Sequence, residues 1–186
     1  MAKGKQTMGG AFYGSLIIAV LLALTILAGL APVLSINVTN TLGVVTTYKT
    51  SLFDVLFNGS LDSVTWKAVF TLFLPSSLDV GTTTSLLQAS LWIGFIIAAL
   101  GIIVAVAKMF LPKVQKPLNY VMLAVSILGI VALLVAFIIY IVLAANVTEI
   151  TPGISVSLAT IAIPLMLAGF ILAILMCVFQ NKIFRK

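Results

Sequence analysis

Four long apolar stretches separated by shorter polar segments organise this chain. They cover residues 12–34, 86–107, 118–145 and 156–179. A helix needs about 20 mostly apolar residues to cross a hydrocarbon core, and each stretch meets that length. Hydrocarbon offers the backbone no hydrogen-bond partner, so runs this long read as helices despite their wealth of valine and isoleucine. The first run follows Lys3 and Lys5, as the core of a signal peptide would, but it exceeds the usual length of about 7–15 apolar residues. It reads as a retained span. The pattern predicts one all-α membrane domain over residues 1–186, a four-transmembrane-helix bundle.

The segment 35–85 has a different rhythm. Over 63–73, Val64, Trp66, Ala68, Phe70 and Leu72 alternate with Thr65, Lys67, Val69, Thr71 and Phe73, the period of a strand. Segments 44–48 and 51–57 are the expected partners, with Asn58-Gly59 as the turn signal. Segment 37–42 offers a further strand after Pro32. A small antiparallel β-sheet in this first outer loop is therefore expected, beside a short second outer loop at 146–155.

Charge gives the orientation. The chain carries 10 Lys and Arg against 4 Asp and Glu. Lys3, Lys5, Lys108, Lys113, Lys116, Lys182, Arg185 and Lys186 lie at the termini and in the loop between the second and third stretches. Asp54, Asp62, Asp79 and Glu149 lie in the other two loops. Basic residues beside spans stay cytoplasmic, so both termini are expected inside and the long loop outside, in a cell membrane or membrane envelope. The 108–113 segment reads as a basic turn lying on the inner leaflet. Three Asn-x-Ser/Thr triplets, at Asn37, Asn58 and Asn146, fall in the outer loops and are candidate glycosylation sites.

This arrangement of both termini inside, a long sheet-forming first outer loop and a short second one resembles the claudin and PMP22-like tetraspan membrane proteins. The family's Trp-Gly-Leu-Trp run and two loop cysteines have no counterpart, because the loop holds Trp66 alone and no cysteine. The resemblance is one of architecture over the whole chain and transfers no functional residue. It implies side-by-side self-association and surface contact.

Composition narrows the chemistry. The chain is 62% hydrophobic and 8% charged, against about 25% charged residues in soluble domains. It has no histidine and one cysteine, Cys177, so an internal disulfide, histidine-ligated metal and the usual general base are all excluded. No catalytic, cofactor or metal residue is assigned. Asp54 and Asp62, flanking Asn58-Gly59, read as solvated edge charges, and Cys177 as a packed apolar thiol. Basic residues cluster beside spans and not along a groove, which argues against nucleic acid.

The expected function is that of a non-catalytic structural or assembly protein. Its partners would be the bilayer and either copies of itself or other membrane subunits. Trp66, Phe70 and Phe73 are the expected contacts in the sheet. Gly94, Ala98 and Gly101 form a small-residue seam at helix-packing spacing, suited to contact within the bundle or between chains. An oligomeric pore would line Gln88, Asn119, Ser126 and Thr160 along one water path. An accessory role in a larger respiratory or transport complex is the other alternative. Pro164 predicts a kink in the fourth span.

Overall fold

The computed structural model describes residues 9–39, 43–57, 60–61, 64–65, 68, 71, 74, 79–146, 154–158 and 161–183. In chain order the elements are α1 (Gly9–Leu27), β1 (Pro32–Thr39), β2 (Val45–Ser51), α2 (Leu52–Leu56), β3 (Ser60–Leu61), β4 (Val64–Thr65), α3 (Val80–Phe110), α4 (Gln115–Ala145), β5 (Ile154–Leu158) and α5 (Ala162–Ile183). A 3₁₀ turn, Ala28–Leu30, extends α1. Helices α1, α3, α4 and α5 are each long and apolar enough to cross a membrane.

These four helices pack in a ring, with α1 against α3 and α5, and α4 against α3 and α5. Every one of the four seams contains a glycine filled by a side chain of the neighbouring helix. Between α3 and α4, a Cβ on Gly94 would lie 2.8 Å from Leu133 Cδ2. Between α3 and α1, a Cβ on Gly101 would lie 2.6 Å from Leu22 Cδ1. Gly129 receives the Phe170 ring between α4 and α5, and Gly169 receives Thr25 between α5 and α1. Ile18, Leu22, Leu91, Ala98, Met122, Leu133, Met166 and Phe170 are buried along these seams, while the outward faces carry exposed isoleucine, leucine and valine.

At one end sits an antiparallel three-stranded sheet of order β2-β1-β5. The expected small sheet is therefore present, with β2 covering most of the expected strand at 44–48 and β1 overlapping the one expected from 37, but its third strand comes from elsewhere. Strand β1 begins at Pro32, so the first apolar helix stops short of 34. The fourth helix starts at Ala162 and not at 156, because Ile154-Ser155-Val156-Ser157-Leu158 forms β5 and pairs with β1. The short second loop thus supplies a strand.

Segment 51–57 is not a strand beyond Ser51. Ser51 caps α2 in a capping box, with Asp54 Oδ2 accepting from Ser51 N at 2.8 Å and Ser51 Oγ accepting from Asp54 N at 3.2 Å. Among the described residues of 63–73, Val64–Thr65 is strand, paired with Ser60–Leu61, and positions 68 and 71 are helical. Pro164 does not interrupt α5. It occupies the first turn of α5, where the missing N–H has no intrahelical partner to lose.

Two contacts tie the sheet end to the helices. Tyr140 Oη on α4 donates to Val33 O at 2.7 Å in a buried position. Gln88 Nε2 on α3 donates to Leu56 O at the end of α2, at 2.8 Å. Helix α3 begins at Asp79, whose carboxylate accepts from Thr82 N at 3.1 Å and Thr82 Oγ1 at 2.6 Å. These bonds to Thr82 hold the Asp79 carboxyl below the ordinary carboxylate range.

Three expectations follow from this packing. Gly101→Leu or Gly94→Leu forces a large side chain into a filled notch and lowers unfolding free energy by about 1–3 kcal/mol. Tyr140→Phe leaves Val33 O without its donor and costs about 1–3 kcal/mol. Both are read by denaturation in detergent micelles. The Asp79 cap contributes fully above the unfolded-chain carboxylate pKa and fades as pH falls through the depressed folded value. Thermal stability should therefore drop in acid, and Asp79→Ala should remove that part of the drop.

Candidate functional site

The expected assembly residues divide into two groups. Trp66, Phe70 and Phe73 lie outside the described residues, as do Asn58 and Thr160. Gly94, Ala98 and Gly101 are buried on α3, facing α4 and α1 of the same chain. Their small size is used by the bundle's own packing, which leaves no room for a neighbouring helix there. Asn37 lies in β1, where its Oδ1 accepts from Thr47 Oγ1 at 2.7 Å. Asn146 ends α4 and its Nδ2 donates to Val142 O at 2.8 Å.

Of the residues expected to line a pore, Gln88, Asn119 and Ser126 are among the described residues and lie at different heights along the bundle. Gln88 is engaged with α2 at the sheet end, and Ser126 is buried within α4 with no hydrogen-bond partner for its hydroxyl among the described residues. Asn119 lies in the second turn of α4, at the opposite end of the bundle from Gln88.

Two features stand out. The first is aromatic. Phe53 and Phe57 on α2 meet Phe95 and Trp92 on α3, with Phe57 edge-on to Trp92 at 5.2 Å between ring centroids and Phe53 tilted against Phe95 at 5.1 Å. Phe95 and Phe53 also close over Gly29 of the 3₁₀ turn. The outer member, Phe57, remains 66% exposed.

The second is polar and lies at the basic end. Lys108 was expected in an exposed turn, but α3 continues through Phe110 and carries Lys108 inward until it is 1% exposed. Its position on α3 explains this. Seven residues separate Lys108 from Gly101 and fourteen from Gly94, so all three fall on the packed face of a 3.6-residue helix.

Around Lys108 the hydrogen bonds have one direction. The ammonium can only donate, and Gln180 Oε1 on α5 accepts at 3.4 Å. The Gln180 amide nitrogen therefore donates, to Asn119 Oδ1 at 2.9 Å and to Cys177 O at 3.2 Å. The Cys177 thiol also donates toward Asn119 O and Oδ1, at 3.5 and 3.8 Å. Cys177 is thus not simply an apolar thiol. The chain Lys108→Gln180→Asn119 ends on the Asn119 amide nitrogen, which has no partner among the described residues.

A further polar group joins this layer. Leu22 on α1 fills the notch at Gly101 on α3, and the two helices run antiparallel. Seven residues toward the basic end from that contact brings Ser15 level with Lys108, about 10 Å along the axis. Ser15 is fully buried and its hydroxyl has no hydrogen-bond partner among the described residues. The described carboxylates, Asp54 and Asp79, lie at the sheet end. Asp79 is 29 residues from Lys108 along α3, about 40 Å.

Asn119 and Cys177 also form part of the wall of an open groove of about 380 Å³ between α4 and α5. Lys116, Tyr120, Leu123 and Val178 complete its lining. Lys116 and Tyr120 are exposed there.

Sequence reasoning missed the Lys108 site because Lys108 was grouped with the basic loop. The available signal was its spacing from Gly94 and Gly101. No protein-family model, curated protein or solved structure matches this chain.

A buried ammonium held by one neutral acceptor should respond asymmetrically to substitution. Lys108→Met removes a charge whose burial is costly and should unfold no earlier than the parent. Gln180→Leu leaves the ammonium without that acceptor and should lower stability by about 1–3 kcal/mol. Parallel thermal melts of the two variants test the assignment.

Proposed function

We propose that this chain is a non-catalytic integral membrane protein that associates laterally, with itself or with other membrane subunits, at its sheet end. In this reading the four apolar helices span the bilayer in a claudin-like tetraspan arrangement. The basic end faces the cytoplasm and the sheet lies outside, with Asn37, Asn58 and Asn146 on the glycosylation-competent side. The observation that carries the assembly reading is the aromatic cluster ending in Phe57. This ring is 66% exposed at the C-cap of a five-residue helix outside the long apolar helices, and Trp92 packs edge-on against it.

Aromatic side chains held rigidly by neighbours are favoured as contact anchors, since they offer large area at small conformational cost. Below the cluster, exposed Ile93 and Ile96 continue the apolar surface down α3. The small-residue seam is occupied within the bundle, so α2 and the adjoining turns of α3 replace it as the contact face. Trp66, Phe70 and Phe73 belong to the same outer segment and retain their proposed part in that contact.

The test is the mass and chain composition of the particle after gentle extraction from its native membrane. The reading expects several copies, or this chain with defined companions, and a fall to single-chain mass in Phe57→Ser with the melting temperature unchanged. A parent protein that is already monomeric would refute it. Ion conductance from an assembled particle in a planar bilayer would turn the reading into a pore.

A further inference from the structure

We infer that the groove between α4 and α5 at the basic end is a binding site for one anionic phospholipid, with the headgroup phosphate held by Lys116 and Asn119. The inference rests on the proposed membrane setting and adds a ligand that lateral assembly does not require.

Polar and apolar chemistry are graded along the groove. Lys116, Asn119 and Tyr120 occupy the first two turns of α4, next to the loop. Leu123 lies one turn deeper, and Val178 lies across from it on α5. A cation, an amide and a phenol above an aliphatic wall match a ligand with an anionic head and an apolar tail. The groove opens sideways, which admits a lipid from the bilayer, and its 380 Å³ suits a headgroup with the first part of its chains.

A directed hydrogen-bond chain ends at the same groove. Because Lys108 can only donate, Gln180 and Asn119 are each fixed with their oxygens toward Lys108 and their amide nitrogens away from it. The Asn119 nitrogen is the terminal donor, and Asn119 lines the groove. A buried charge at the head of such a chain strengthens the successive donors. An anion at Asn119 would complete the sequence and give the Lys108 ammonium a counter-charge from outside the protein. No described carboxylate performs that role at this end. The amino-terminal turn of α4, which has no side-chain cap, adds its partial positive charge to the same place.

The experiment uses the full chain, reconstituted in nanodiscs containing equal phosphatidylcholine and phosphatidylglycerol and then stripped progressively with detergent. Native mass spectrometry counts the lipid retained. The parent should keep one phosphatidylglycerol per chain after phosphatidylcholine is lost. Lys116→Gln, a surface change that leaves the core intact, should lower that retention about fivefold. Lys108→Met should lower it as well while the protein stays folded.

Lys113→Gln removes an exposed loop charge outside the groove and should leave retention unchanged. Equal loss in Lys113→Gln would mean diffuse attraction to the surface and would overturn the site. Equal retention of the two lipids would also overturn it. So would displacement of phosphatidylglycerol by millimolar inorganic phosphate, which would make this a site for a free anion. A chain that does not enter the nanodisc at all would instead refute the membrane setting on which the inference rests.

Discussion

Close approach at four glycines governs the arrangement of everything else. Among apolar helices there is little hydrophobic gain in preferring one neighbour over another, so fit between surfaces decides the pairing. Gly94, Gly101, Gly129 and Gly169 each remove a side chain where Leu133, Leu22, Phe170 and Thr25 must enter. Because the four contacts fall on four different seams, they define a closed ring and its vertical register together. Moving α1 along α3 would take Leu22 out of its notch and would also misalign Thr25 with Gly169. That register is what sets Ser15 at the axial level of Lys108, near the layer where Gln180 reaches Asn119.

The sheet end depends on the same frame. Strand β1 leaves the 3₁₀ turn after α1, and β5 runs directly toward α5, so the α1–α5 seam delivers the two strands to adjacent positions. Tyr140 then fixes the first residues of β1 from α4, and Gln88 fixes the end of α2 from α3. All four helices therefore contribute to the sheet's position. A surface held in this way can present Phe57 at a constant height above the bundle, which is the property required of a contact residue in the proposed assembly.

The long helices were legible because their signal is a sum over about 20 residues, which a few polar positions cannot erase. Their ends were less legible. Residues 156–158 are apolar enough to extend the fourth run, yet Ile154, Val156 and Leu158 alternate with Ser155 and Ser157, and this alternation marks the strand. Likewise Ser51 and Asp54 stand at capping-box spacing, a helix signal lying inside a stretch whose β-branched and aromatic content suggested a strand. Small local motifs were outweighed by composition in both cases. The seam at Gly94, Ala98 and Gly101 was readable as close packing, but spacing alone does not distinguish an internal neighbour from an external one. Burial does.

Lys108 shows how far a charge can be misplaced when it is read by its neighbours in sequence. It stands beside Met109 and Phe110 and before Pro112 and Lys113, which resembles a membrane-surface turn. The helix, however, ends only at Phe110, and its inward face at that level is occupied by residue 108. A methionine in that place would bury as well without the cost of desolvating an ammonium. The polar surroundings supplied by Gln180, Asn119 and Cys177, with Lys116 and Tyr120 in the surface groove, therefore form a set whose parts make chemical sense only together. Such a set offsets the cost of burial incompletely while it contains neutral acceptors alone. Its remaining requirement is negative charge, and the place where the hydrogen-bond chain ends is also the place where the bundle opens.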